Sequence, residues 1–537
     1  MNNRIVLIAA LLPAFCLAAV PPSPLAEAAR ANNTDTVKRL LQASGVNVNA
    51  AIADGTTALH WAVQKDNLPM ATELVGAAAD VKLANRYGVA PLSLAAEKGN
   101  AAMLELLLKA GADPNTTMPE GETALMTAAR GGKADAVKTL LVHGANVNAR
   151  DQFRGETALM WAAGRNNADA IRILVEFGGD IRLRTSSQPR PGQTPGGFTF
   201  GAPGVTSFSA LLFAVRGGHS DAARALLESG ADVNDVLSNG ESALIVAIAN
   251  GHWQLADYLL GKGADPNHSR PGWTPLHQLM RSRRLNVGFG FPPPIQTGTL
   301  DSIDLLKKLL AKGAGVNARM TKDAMKDGQR TRLNRLGATP FLLAAKNTDV
   351  EAMRILLAAG ADPSIPTADN DTPLMAAAGV HIWNPGEDGG SLAVQEDEQL
   401  EAVKLCVQLG NDVNAANVFG DTPLHGAAYR GANSMIEFLL RSGAKLDARD
   451  SRGWTPLTVA NGIKFDCFYK AQPETAALLE RYMKQAGLAT SDQIADGTEC
   501  LDCLGTHPEL VRARNERIRK LEAEFAKQEA DRVKEKL

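Results

Sequence analysis

Cysteine is scarce: there are five in 537 residues, too few for a disulfide scaffold to hold a chain of this size. Aromatic residues reach only 5%, while alanine and leucine are abundant, which favours helices packed closely through small side chains. An excess of one charge is also missing. Lys and Arg total 56 against 58 Asp and Glu, a net of -2, and this excludes the wholesale basic surface that coats nucleic acid. After the first twenty residues no segment approaches 18 apolar residues, the length a membrane-spanning helix needs. No His-Glu-x-x-His, no Gly-x-Ser-x-Gly and no phosphate-binding glycine loop occurs, so the familiar hydrolytic and nucleotide-binding signatures are lacking. What remains is 45% hydrophobic and 21% charged, a composition that can bury a large core and does not read as disordered. Its length suits two to four ordinary domains or one long repeat array.

The N-terminus reads as a targeting signal. Met1 to Arg4 is a short positive start, followed by apolar Ile5 to Leu12 and Phe15 to Leu17, with small residues at Ala18 and Ala19. An apolar core of about thirteen residues is too short to span a bilayer. Residues 1–19 are therefore expected to be a secretory signal peptide cut after Ala18 or Ala19, the alternative being an uncleaved anchor. Cys16 does not suit a lipoprotein signal, because Pro13-Ala14-Phe15 precedes it. The mature chain, from residue 20, is expected to be exported to the periplasm or cell exterior, soluble, monomeric and not inserted in the membrane.

Self-similarity decides the fold. A Thr/Ser-(Pro/Ala)-Leu element places its last residue at Leu59, Leu92, Leu125, Leu159, Leu211, Leu244, Leu276, Phe341, Leu374, Leu424 and Leu457. Seven of the ten spacings lie within one residue of 33, and the others are a period or two plus or minus an insertion. Gly-Ala-Asp-like elements follow, at Gly111-Ala112-Asp113, Gly144-Ala145-Asn146, Gly230-Ala231-Asp232, Gly263-Ala264-Asp265 and Gly360-Ala361-Asp362. Thr before Pro, as in Thr274-Pro275, Thr339-Pro340 and Thr422-Pro423, suits an N-cap followed by the first helical turn. Paired alanines such as Ala95-Ala96 and Ala128-Ala129 let a first helix approach its neighbours. A second helix carries the pair Leu107-Leu108, Leu140-Leu141 or Leu356-Leu357, and Gly just beyond suits a left-handed stop.

A 33-residue period with Thr-Pro-Leu-His and Gly-Ala-Asp-x-Asn resembles the ankyrin repeat. The resemblance runs from about Ser23 to Met483 and implies an α-solenoid of about 11 helix-turn-helix units with β-hairpin fingers, plus an N-terminal half-unit at Leu25 to Ala43. The expected organisation is a signal peptide over 1–19, a solenoid over 20–484, a cysteine-containing linker over 485–507 and a charged helix over 508–537. That helix carries Val511, Ile518, Leu521 and Phe525 on one stripe, suited to docking on the array or to pairing with a partner helix.

Three departures from the repeat are candidates for function. Inserts lie near 185–204 (Gly- and Pro-rich, without acidic residues), 284–300 (Phe289, Phe291 and three prolines), 320–335 (basic) and 381–398 (acidic). Together with an Arg-Leu-Asn segment, these interruptions resemble a group of exported bacterial ankyrin proteins. The second departure is a charged row. The family resemblance implies that partners bind hairpin tips and the first-helix residues just after the Ala-Ala pair. Mapped onto this chain, those slots hold Lys65, Lys98, Arg130, Arg165 and Arg216, continued by Tyr429 and Arg430. The tips add Arg86, Tyr87, Phe153, Arg154, Trp273 and Trp454, together with Glu122, Glu156 and Glu241. This reads either as a basic lip with aromatic anchors for an acidic protein segment or as a solvated, charge-balanced face.

The third departure is cysteine. Cys406, read as the second member of a Leu-Leu-like pair, suits an inert core position. Cys467, Cys500 and Cys503 are candidates for a disulfide. With His507 they also offer four zinc ligands if the fold gathers them, and Cys500-x-x-Cys503 is the spacing of a redox pair. Haem attachment is excluded, because Leu504 stands where a histidine is needed. Histidines at His60, His277, His425, His219 and His252 recur in repeat slots, which marks them as structural. The expected function is a non-enzymatic protein-binding scaffold without cofactor or metal. The alternatives are a redox- or metal-linked accessory protein acting through the C-terminal cysteines, and a secreted host-directed effector.

Overall fold

A computed structural model describes residues 23–186, 207–284, 295–322, 333–382, 396–464, 469–491, 495–496 and 508–536. Within them the chain forms twelve consecutive helix pairs and one long C-terminal helix. The pairs group into two compact units. The first holds the described residues of 23–186 with Ser209–Ala214 and Asp221–Gly230, and the second holds 207–208, 215–220 and the described residues from Ala231 on. None of the described helices is long and apolar enough to cross a membrane.

Local chemistry sets each pair. Threonine caps the first helix by accepting the backbone N–H three residues on, as Thr123 does from Met126 and Thr339 does from Leu342, both at 3.2 Å. Proline occupies the first turn of Pro275–Arg283, Pro340–Lys346 and Pro423–Arg430, where a missing N–H costs nothing. An Asn or Asp then caps the second helix in several repeats: Asn67 accepts from Met70 N–H at 2.9 Å and Asn100 from Met103 N–H at 3.0 Å. Most second helices end in a glycine such as Gly144, whose φ of +88° suits a residue without Cβ, whereas Ala78 takes that conformation after Leu68–Gly76.

Stacking closes the core. Ala95, Ala96, Ala128 and Ala129 are fully buried between successive first helices, and Leu107 and Leu140 fill the layer beneath them. At about 1.5–3 kcal/mol per buried leucine, this layer is the main cohesive term within each unit. Cys406 belongs to the same layer, but as the first member of its pair, since it stands four residues before Gly410 as Leu356 does before Gly360. It is fully buried, and that burial pushes its thiol up to about 12, which leaves it chemically inert.

Polar side chains stitch neighbouring repeats. Asn115 donates to the Gly144 carbonyl at 3.2 Å and accepts from Asn146 N–H at 2.7 Å. Asn148, Asn317 and Asn414 repeat this two-way bond, to Gly178 and Asp180, to Gly360 and Asp362, and to Gly443 and Lys445. The fingers join through backbone bonds, for example Arg86 N–H to the Asp54 carbonyl at 2.8 Å and Ser451 N–H to the Phe419 carbonyl at 2.7 Å.

The N-terminal half-unit comprises two helices, Pro24–Arg30 and Thr34–Leu41. At the other end, strand Ile463–Lys464 lies between Tyr469–Lys470, antiparallel, and Ala495–Asp496, parallel, in a small sheet beside helix Pro473–Gln485. The inserts fall largely outside the described residues: 187–204, 285–294, 323–332 and 383–395.

Candidate protein-interaction site

The histidine of Thr-Pro-Leu-His is occupied structurally. His60 Nδ1 accepts from Thr57 N–H at 3.2 Å, so its Nε2–H donates to the Val89 carbonyl at 3.0 Å. His277 and His425 make the same bridge to the Ala338 and Trp454 carbonyls, both at 3.1 Å. Burial lowers the pKa of His277 to about 4 and moves His60 in the same direction, outweighing the carbonyl each one meets. His60 and His277 are neutral spacers between repeats, and His425 makes the same bridge.

The carbonyls they meet mostly belong to the residue between a finger's turn and the next N-cap. That slot holds Thr56, Val89, Glu122, Glu156, Phe208, Glu241, Trp273, Ala338, Asp371, Asp421 and Trp454, every one of them buried or half-buried. Trp273 and Trp454, expected as exposed tip anchors, are accordingly only 5% and 7% exposed. Trp454 lies beneath the Arg452 guanidinium at 3.9 Å. Glu156 and Glu241, also read as tips, are half-buried, and burial raises the pKa of each. The recurrence of this slot in the sequence is the signal that would have placed them correctly.

The post-alanine row is exposed throughout: Lys65, Lys98, Arg130, Arg165 and Arg216. The first four belong to the first unit and stand at the C-terminal ends of consecutive first helices that pack side by side. Lys65, Lys98 and Arg165 form no ion pair among the described residues. Arg130 does have work within the chain, for its guanidinium lies 4.9 Å from the Trp161 ring and 3.5 Å from Glu122. Arg30 covers Trp61 at 5.6 Å in the same way. Arg154 is exposed at a tip, close to Phe153 and 3.7 Å from Glu156. Arg216, in the second unit, lies over Phe208 at 5.4 Å.

In the second unit Tyr429 and Arg430 are half-buried. Tyr429 lines a cavity with His381, Phe419, Asp421, His425 and Arg452. Around that cavity runs a polar network that motif reading did not reveal. Asp371, fully buried, accepts from Thr367 Oγ1 at 3.1 Å and Asn417 Nδ2 at 2.9 Å, and pairs with His381 Nε2 at 3.2 Å. Burial would neutralise both partners, but their mutual attraction prevails: Asp371 is held below the ordinary carboxylate range and His381 is raised to about 9. A second buried pair joins Arg283 Nε to Asp349 at 2.8 Å, with Arg283 Nη1 donating to Ser302 Oγ at 2.6 Å.

The long helix Pro508–Lys536 lies against finger tips of this same unit. Arg514 grips Asp369 with two bonds of 2.7 and 2.9 Å, and Arg517 donates to Asn370 Oδ1 at 2.9 Å. Arg319 approaches Glu524 at 3.9 Å and the Phe525 ring at 6.0 Å. The less exposed face of the helix is Leu510, Val511, Arg514, Arg517, Ile518, Leu521 and Phe525, so two arginines join the apolar stripe.

Cys467, Cys500, Cys503 and His507 lie outside the described residues. Among the described residues no group of three His, Cys, Asp or Glu side chains is arranged to hold a metal ion.

Comparison with known proteins agrees with this architecture. A family model described as ankyrin repeats (three copies) matches residues 25–118, 92–185, 211–287 and 391–468, and the single ankyrin repeat model matches 336–368. The Arabidopsis thaliana E3 ubiquitin-protein ligase KEG is 32% identical over 103 residues, 19% of this chain and 5% of that protein. Mitochondrial disaggregase from Bos taurus is 27% identical over 172 residues, 31% of this chain and 20% of that protein. Ankyrin repeat and SOCS box protein 16 from Mus musculus is 30% identical over 122 residues, 23% of this chain and 25% of that protein. The matched part thus spans no more than a quarter of any of these relatives. The human ASB11 ankyrin repeat domain aligns with a TM-score of 0.37 at 23% identity, covering 46% of this chain and 100% of its own. With more than half of its length matched by family models over helix pairs of the expected period, the chain belongs to the ankyrin-repeat family, whose repeats are generally protein–protein interaction modules.

Proposed function

We propose that this protein is a non-enzymatic scaffold of the periplasm or cell exterior, and that an acidic segment of a protein partner lies along the cations of its first unit. The observation that carries the reading is the recurrence of an exposed cation just after the first helix's core alanines in four successive repeats: Lys65, Lys98 and Arg165 six residues after the repeat leucine, and Arg130 five after it. Three of them have no carboxylate partner among the described residues. Charges spaced in this way raise the on-rate for an acidic chain and fix its register more than they add raw affinity. Arg154 extends the same charge at a finger tip, and Arg216 holds the equivalent slot of its own repeat. The apolar N-terminal segment supports export.

The test uses the chain from Val20 as bait in an envelope extract, beside a variant with Lys65, Lys98, Arg130, Arg165 and Arg216 each changed to Glu. A partner held by the first bait and released by the second is the expected result, with capture weakening as salt rises. Equal capture by both baits overturns the assignment of the face. Retention of the full-length chain in the cytoplasmic fraction overturns the location.

A further inference from the structure

The sequence leaves two roles open for the C-terminal helix, docking or partnering, and its contacts join them. Four features of the second unit receive one face of this helix. They are the Asp369 carboxylate, only 2% exposed beneath Arg514; the Asn370 side chain; the Phe419 ring, 6.0 Å from the Arg514 guanidinium; and Arg319 beside Glu524 and Phe525. Asn370 holds the left-handed finger position, at φ +67°, where neighbouring fingers have glycines such as Gly337 and Gly420. Asparagine tolerates that conformation and adds a carbonyl oxygen at the tip, which a glycine lacks. The face reads a pattern: arginines three residues apart, then Leu521 and Phe525 at further steps of four, all on one side of a helix. A two-bond arginine–carboxylate grip fixes orientation as well as charge.

We propose that these finger tips form a recognition surface for a basic amphipathic helix of this pattern in a partner protein, and that helix Pro508–Lys536 is its resident occupant. The inference concerns the second unit alone and does not rest on the acidic partner proposed for the first. The resident helix is joined by the short stretch 486–507 to the helix that ends at Gln485. As a tethered ligand it has an effective concentration on the order of millimolar, so it screens out weak competitors. A partner must offer the same two arginines and more contact beyond them, and binding it releases the C-terminal helix.

The experiment uses the full chain and a fluorescent peptide with the sequence of residues 508–536. Wild-type chain should bind the peptide weakly, because its own helix fills the site. Full chain carrying Arg514→Ala and Arg517→Ala should bind the same peptide about 100-fold more tightly, since two charged hydrogen bonds no longer hold the cis helix. Peptide carrying Arg514→Glu should not bind that opened chain, a control that leaves the array untouched. Adding Asp369→Asn to the opened chain should also abolish binding, with far-UV circular dichroism confirming that it is folded. If the peptide ignores the opened chain, the tips are not a separable recognition surface. If it binds the opened chain equally well with Arg514→Glu or against Asp369→Asn, the contact lies elsewhere. Tight binding to wild-type chain shows that the helix does not occupy the face.

Discussion

The two units share a period, a capping chemistry and an alanine–leucine core, yet they treat charge in opposite ways. In the first unit the cations of the post-alanine row stand in water, and the polar bonds between repeats are made mainly by neutral asparagines such as Asn115 and Asn148. In the second unit charges turn inward. Arg283 meets Asp349, His381 meets Asp371, Arg452 meets Asp450, and Arg514 covers Asp369. A repeat touches only its neighbours, so one stretch of an array can exchange surface charge for buried ion pairs without disturbing the rest. Exposed cations remain available to partners, whereas buried pairs hold an internal arrangement in place.

The sharpest way to break this comparison is Arg283→Ala. Removing the cation leaves the Asp349 carboxylate, 1% exposed, with Arg284 at 3.9 Å in place of a direct bonded pair, and should cost the second unit about 3 kcal/mol. Hydrogen exchange should then accelerate in the second unit while the first keeps its protection.

Next in size is pH. His381 is raised to about 9, so its pair with Asp371 contributes stability that is fully present below the ordinary histidine value of 6.5 and lost as pH rises through about 9. The loss, up to about 3 kcal/mol, should appear between pH 7 and 10 in the second unit only, and Asp371→Asn should flatten it. His277 works the other way: lowered to about 4, it contributes stability above 6.5 that is lost as pH falls towards 4. His60 shifts in the same direction, so acid should weaken both units while alkali weakens one. Melting followed by unit-specific exchange from pH 4 to 10 reads both limbs.

A smaller effect tests the neutral ladder. Asn148→Ala removes a bond to the Gly178 carbonyl and one from Asp180 N–H, and should cost the first unit about 1–2 kcal/mol in urea denaturation. Smallest is the row itself. Lys65→Glu and Lys98→Glu should leave stability within about 0.5 kcal/mol, while Arg130→Ala should lose about 0.5–1 kcal/mol through its stacking on Trp161. A large destabilisation by either lysine change would show that the row is structural.

The fold was legible because it repeats. Thr-Pro-Leu-His, the alanine pair and the closing glycine each have a local physical role, and eleven recurrences separate that role from chance. The bridging role of His60, His277 and His425 follows from the same recurrence. Reading failed where one slot was judged by its residue rather than its register. Trp273 and Trp454 look like exposed anchors by type, but they occupy a position that is buried in this fold, and at Trp454 the backbone carbonyl also serves His425. The Asp371–His381–Asn417 cluster gave no motif, because its members come from two fingers and the edge of an insert, 46 residues apart between Asp371 and Asn417.

By itself, then, the sequence determined the helix pairs, their caps, their order and the core that joins them, since each of these depends on contacts within about one period. Only the tertiary structure decided which charges meet water and which meet each other. It also decided where the C-terminal helix rests: Arg514 and Asp369 are 145 residues apart, and no local rule links them. A pairing at that distance depends on how the stacked fingers present Asp369 and Asn370 side by side, and this geometry exists only once the repeats have closed on one another.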